Sequence, residues 1–356
     1  MKKSFRRALA MLLASLMLVS ALPVYAAGEE APAQDDPWMD YAQEHLGNTL
    51  PFMREEELSF LEPGCQVYLG KRLSAYNSEL DELPYAMYPV FADGQMVAIA
   101  SVSEDENGEL SFQAGPQFAE QLNEFIADNP NVALVMNEDS IQFINDEGET
   151  ETLAFFEDSA VPLSLASDVE CSQAVPVTAI QEVPRTRAYG EDSGTVPIKY
   201  VPQGKYAICW AACMASVVNY FNGTNHSAVW MADYLGKDYD DKETSGAIPS
   251  ECNYWYAHTF NLSPVLSSNN LSYDLVYNNA YAKKPIHAHV EGWDKKGDRH
   301  GHVVVIRGCY MSNSVVYYRI MDPNYGFSSV KMNSDGSFDV AYVDYTMKPY
   351  AYIRFN

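Results

Sequence analysis

The chain has 356 residues, enough for two ordinary domains, and carries a formal net charge of −25 from 23 basic and 48 acidic side chains. The charge is uneven: residues 1–26 hold 4 basic residues and no acid, residues 27–187 hold 5 basic against 32 acidic, and residues 188–356 hold 14 against 16. So acidic a front half argues against nucleic acid or an anionic membrane as its partner, and the step near residue 187 separates two functionally distinct segments.

At the N-terminus, Lys2, Lys3, Arg6 and Arg7 precede an apolar run from Ala8 to Leu22, and Val24-Tyr25-Ala26 offers small residues at the cleavage positions. Residues 1–26 therefore read as a secretory signal peptide, and a secreted, extracellular mature protein is expected. No later run of about 18 apolar residues follows, so no membrane contact is expected after signal removal. Residues 27–37, rich in Ala, Glu, Asp and Pro, read as a flexible acidic tail.

The next segment, 38–157, reads as a small antiparallel α+β domain. Tyr85–Phe91 and Gln95–Val102 alternate as strands around the hairpin signal Asp93-Gly94. Leu110–Gln113 adds a strand, and Pro116 opens a helix whose Phe118, Leu122, Phe125 and Ile126 share a face. Asn129-Pro130 ends it, and Val132–Met136, Ile141–Ile144 and Thr152–Phe156 supply further strands. No catalytic constellation lies in this segment. Residues 158–195 have linker composition, with Pro162, Pro176 and Pro184, and with Arg185-Thr186-Arg187 as a basic interruption that offers a cleavage site.

The last segment, 196–356, places helices before strands. Cys209–Phe221, Ala228–Leu235 and Ile248–Thr259 read as helices, the third with Pro249 and Glu251 in its first turn. Pro285–His289, His302–Tyr310, Val315–Asp322 and Tyr350–Phe355 read as strands of an antiparallel sheet. Of the six cysteines, Cys209 and Cys213 stand four apart on one helical face and are not placed to bridge each other. Pairing of Cys213 or Cys309 with Cys252 stays open.

Chemistry enters at Cys209. A thiol at a helix start is ionised more readily, and a nearby imidazole such as that of His302 adds to the effect. Asp322, at the end of the adjacent strand, can orient His302. Gln203, six residues before Cys209, can donate an amide hydrogen bond to an oxyanion beside the Cys209 backbone N–H.

Gln203-Gly204 followed by Cys209-Trp210 resembles the active-site motif of papain-like cysteine peptidases, in which a glutamine also lies six residues before the nucleophile and a tryptophan follows it. Gly301-His302-Val303-Val304-Val305-Ile306-Arg307-Gly308 is similar to the histidine strand of those enzymes, and Tyr317-Tyr318-Arg319-Ile320-Met321-Asp322-Pro323 to the strand of the third residue. The resemblance spans about residues 200–326 and implies Cys209 as nucleophile, His302 as general base, Asp322 as orienter and Gln203 as oxyanion donor. It also departs from the plant and lysosomal enzymes. Those enzymes have Gly-Ser or Gly-Ala and a further cysteine before the nucleophile, whereas Ala207-Ile208 precedes it here, and 93 residues separate Cys209 from His302, against roughly 130–150 there. That spacing resembles the compact bacterial branch of staphopain-like, type III effector-like and bacteriocin-leader peptidases. Asn324 is the alternative third residue.

The resemblance implies a secreted protease acting on protein or peptide through a Cys-His-Asp site. It is expected to be made as a zymogen whose 38–157 prodomain binds the cleft and is released near Arg185–Arg187; a permanent accessory domain is the alternative. Other readings of the same residues are acyl transfer to an amine, cleavage of a cell-wall peptide amide, or a non-catalytic secreted binding or inhibitor protein. The two His-x-His pairs, His287/His289 and His300/His302, could hold zinc. His302 is taken up by the peptidase arrangement and His300 borders a polar loop, so no metal or other cofactor is expected.

Overall fold

The computed structural model describes residues 36–77, 83, 85–104, 108–116, 118–127, 130–136, 140–155, 169–183, 192–239, 245–268, 271–293, 299–339 and 346–356. The expected signal peptide, nearly all of the expected acidic tail, and Arg185-Thr186-Arg187 lie outside these residues. A helix that composition does not announce comes first: α1 (Pro37–Met53) has Pro at its start, where no N–H is needed, and buries Ala42, Leu46 and Leu50 at four-residue spacing. Strands β1 (Val67–Gly70), β2 (Ser74–Tyr76), β3 (Tyr85–Ala92), β4 (Gln95–Glu104) and β5 (Leu110–Gly115) follow. The β3–β4 turn puts Asp93 and Gly94 at φ 50° and 78°, the left-handed pair that a tight hairpin needs. Then come α2 (Ala119–Ile126), β6 (Asn131–Met136), β7 (Ser140–Asn145), β8 (Thr150–Phe155), β9 (Ser172–Gln173) and β10 (Pro176–Ala179).

The back half begins with α3 (Cys209–Asn222), which runs without Gly or Pro until Gly223 caps it at φ 66°. Ser227 caps α4 (Ala228–Tyr234) by accepting from the Trp230 N–H. Then follow α5 (Pro249–His258), β11 (Pro264–Ser267), α6 (Tyr273–Tyr281), β12 (Ile286–Trp293), β13 (Arg299–Ser312), β14 (Val315–Asp322), β15 (Gly326–Lys331), β16 (Phe338–Asp339) and β17 (Thr346–Phe355). Helices α3, α4 and α5 cover one face of this sheet, where Val217, Val218, Met231 and Cys252 share a core with Val303, Val305 and Ile353. The expected α+β class is therefore observed.

The two halves share one sheet. Its order is β10-β1-β3-β4-β5-β15-β14-β13-β12-β17-β11, with β16 beside β17. The seam is the antiparallel pairing of β5 with β15, Ala114 opposite Ser329 and Gln113 opposite Val330. A smaller sheet, β2-β6-β7-β8 with β9 on β6, contains a parallel pair, β2 with β6, where the sequence suggests only antiparallel neighbours. Part of the linker-like stretch is thus strand: β9 bonds to β6 and β10 to β1.

Buried polar contacts cross between the halves. Gln113 donates to the Ser328 hydroxyl at 2.9 Å, His45 Nδ1 meets the Tyr317 hydroxyl at 2.5 Å, and Arg307 pairs with Glu57. Residues 38–356 consequently form one compact unit, where the sequence suggests a folded segment on each side of a linker.

Candidate active site

Cys209 is the first residue of α3. The residue before it, Ile208, has no side-chain acceptor to offer, so the first-turn N–H groups carry no side-chain cap. A helix start left open in this way presents N–H donors and the positive end of the helix dipole beside the thiol. Trp210 anchors that start. It is buried, its indole N–H donates to the Ser245 carbonyl at 2.7 Å, and its ring lies 5.3 Å from that of Trp255. One turn later the Cys213 thiol is buried and donates to the Val303 carbonyl at 3.2 Å. Burial, with the charges of Cys209 and Asp322 adding to it, holds its pKa well above the ordinary thiol value. Two cysteines on one helical face therefore have different fates, one facing an imidazole and the other sealed into the core.

His302 lies on β13 opposite Val290 of β12, and Asp322 closes β14 directly after Met321, which pairs with Val305. Their side chains meet at 3.1 Å, His302 Nε2 to Asp322 Oδ2, with 7% and 0% of their surfaces exposed. That contact leaves Nδ1 as the ring nitrogen for the Cys209 thiol, which also hydrogen-bonds the ring. Burial lowers the His302 pKa, but the charges of Asp322 and Cys209 and the hydrogen bonds to both outweigh it, lifting the ring to about 10. The other carboxylate oxygen of Asp322 accepts from the Asn324 backbone N–H at 2.8 Å. Asn324 thus supports Asp322 through its backbone, and it is the Asp322 side chain that meets His302.

Gln203 sits in the loop before α3, 5% exposed, with Gly204 at φ 69° turning the chain after it. Its backbone N–H donates to the Pro323 carbonyl at 3.1 Å, and the Tyr200 hydroxyl reaches the same carbonyl at 3.2 Å. The Gln203 Oε1 is buried with no hydrogen-bond partner among the described residues. Sequence reasoning missed this support from Tyr200, Ser245 and Asn324. Nothing in the local pattern signals it, because each acts on a residue distant in the chain or through backbone alone.

The two His-x-His pairs do not converge among the described residues. The β12–β13 register sets His300 opposite Gly292 and His302 opposite Val290, while His287 and His289 face Val305 and Val303. His302 goes to Asp322, whereas His287 Nδ1 shares a 2.9 Å hydrogen bond with the Tyr256 hydroxyl. All six cysteines are free thiols, so neither pairing left open for Cys252 is formed.

A thiol at an open helix start, an imidazole held by a buried carboxylate and an adjacent glutamine are the parts of nucleophilic acyl transfer. Residues 191–338 match the family model described as "Papain-like cysteine protease AvrRpt2". This segment is similar to papain-like cysteine proteases. The match takes in Gln203, Cys209, His302 and Asp322, and it begins after the whole of the acidic front half. No curated protein matches the chain. The match supports a cysteine-type hydrolase, with protein as the substrate class that such a family implies.

Proposed function

We propose that the protein is a secreted papain-like cysteine protease that hydrolyses peptide bonds with Cys209 as nucleophile. The single observation that carries the site assignment is the buried His302–Asp322 contact beside a thiol at the first residue of α3. The Cys209 thiolate attacks the scissile carbonyl carbon. The oxyanion that forms takes hydrogen bonds from the Cys209 backbone N–H and the Gln203 side-chain amide. His302 gives its proton to the departing amine, leaving a thioester on Cys209. It then takes a proton from water as that water attacks the thioester, and the acid product leaves with the thiol pair restored. Asp322 keeps the ring oriented and its charged form stabilised through both steps.

Export rests on the Lys/Arg-then-apolar pattern of residues 1–26. Production as a zymogen cut at Arg185–Arg187 rests on the acidic front half and that basic interruption. Cleavage there is compatible with the front half staying docked, because β5–β15 pairing and the Arg307–Glu57 ion pair hold the halves together without the connecting peptide. We therefore favour retention of residues 38–157 as an accessory half over their release.

The test is thiol labelling. Iodoacetamide at neutral pH should modify Cys209 fastest in the native protein. Cys213, Cys252 and Cys309 are buried, and burial together with Asp146 pushes the Cys171 thiol up to about 12. His302→Ala should abolish the fast phase, and equal labelling in both proteins would overturn the pair. Mass spectrometry of the products from a peptide library with added amine separates hydrolysis from amine transfer.

A further inference from the structure

Cys252, His287 and His289 have no part in the reaction above, although the charge of Cys209 reaches Cys252. Cys252 is on α5, and His287 and His289 project from one face of β12, two residues apart. Their ligand atoms all lie within 4.8 Å of one another, and the three residues are 0%, 0% and 2% exposed. The surroundings are apolar: Val303, Val305 and Ile353 of the flanking strands pack in the same core as Cys252. In such a layer a polar nitrogen is costly unless something satisfies it. Yet the Nε2 atoms of both histidines are buried with no hydrogen-bond partner among the described residues. The Nδ1 of His287 is occupied, at 2.9 Å from the Tyr256 hydroxyl, one turn beyond Cys252 on α5. A histidine with one ring nitrogen held by a neighbouring hydroxyl and the other unpartnered, in a cluster with a thiol and a second imidazole, has the arrangement of a metal ligand with its supporting hydrogen bond.

We propose that Cys252 Sγ, His287 Nε2 and His289 Nε2 bind a divalent transition metal of the zinc class, with Tyr256 fixing the orientation of His287. One thiolate and two imidazoles suit zinc in both softness and number, leaving a fourth position for a further ligand. Zinc–sulfur and zinc–nitrogen lengths place tetrahedral ligand atoms about 3.5 Å apart, so the separations between the three ligand atoms shrink by up to about 1.3 Å on binding. The Cys252 thiol gives its proton to solvent as the Zn–S bond forms. The bound ion joins α5 to β12.

The test uses cobalt(II) as a spectroscopic probe, titrated into the full chain carrying Cys209→Ala so that the active-site thiol contributes nothing. A thiolate-to-cobalt charge-transfer band with tetrahedral ligand-field bands should grow to saturation at about one ion per chain and be displaced by zinc. Adding Cys252→Ser should remove the charge-transfer band. Tyr256→Phe, which keeps the ring and removes the hydroxyl, should weaken binding about tenfold with the spectrum unchanged. Near-UV circular dichroism checks that each variant is folded. A Cys209→Ala protein with no charge-transfer band, or a band that survives Cys252→Ser, would overturn the site without touching the peptidase assignment.

Discussion

The backbone N–H of Gln203 donates to the carbonyl of Pro323 at 3.1 Å, tying the loop before α3 to the residue directly after Asp322. Two of the four candidate site residues are thereby held through a single peptide carbonyl, which the Tyr200 hydroxyl also meets. The loop bearing the proposed oxyanion donor and the strand end bearing the His302 partner are positioned as one piece.

This attachment runs through the Gln203 backbone, so its side chain can be removed without breaking it. Gln203→Ala should lower kcat by roughly 10²-fold with little change in KM, as expected for a donor that acts on a developing oxyanion. Because Oε1 is buried and unpartnered, the same variant should unfold in urea at the wild-type concentration or above it. Loss of stability in step with loss of rate would assign Gln203 to the scaffold.

Asp322→Asn removes the charge that meets His302. Burial pulls the His302 pKa down, and Asp322 is foremost among the groups that lift it to about 10. The imidazolium that donates to the leaving amine is present below that value and lost above it, so wild-type activity should fall on the alkaline side near pH 10. In Asp322→Asn the alkaline limb should move to lower pH, and kcat/KM at neutral pH should drop by roughly 10²-fold. A full pH profile of kcat/KM in both proteins is the measurement.

His45 links pH to stability. Burial first, then the charge of Lys331, lowers its pKa from 6.5 to about 4. The folded ring stays neutral where the unfolded ring takes up a proton, so stability is full above pH 6.5 and lost as pH falls toward 4. At about 1.4 kcal/mol per unit the loss reaches about 3 kcal/mol. His45→Gln, which keeps a hydrogen-bonding partner for Tyr317, should flatten urea-unfolding stability across that window.

The Arg307–Glu57 pair joins the halves of the chain with both side chains buried. Glu57→Ala should cost about 3–5 kcal/mol, because it leaves the Arg307 guanidinium buried without its counter-ion. Arg307→Met combined with Glu57→Ala should cost less than the sum of the single changes, and urea denaturation of the four proteins in this cycle measures the difference.

The parts of the site that were legible in the sequence are those where chemistry constrains neighbours in the chain. Gln203, Cys209 and Trp210 fall within eight residues, and the β-branched run after His302 announces β13. The Asp93-Gly94 hairpin was equally readable, since its φ values restrict which residues fit. Helix α1 was not, because Gly47, Asn48, Thr49 and Pro51 break its apolar pattern and the acidic tail leads straight into it. Strand β15 carries Ser328 and Ser329 at buried positions, and the Ser328 hydroxyl accepts from Gln113 of the facing β5, a contact that no local pattern reveals. Cys252 meets His287 and His289 only because α5 folds over β12, a contact across more than thirty residues of chain.

The β5–β15 seam bears on what becomes of the enzyme if its front half is lost. Without β5, strand β15 turns from an interior strand into a bare sheet edge, with the backbone groups that met Gln113 and Ala114 unpaired and Val330 uncovered. Such an edge invites a strand from another molecule. A back half stripped of residues 38–157 would therefore be prone to self-association through that edge.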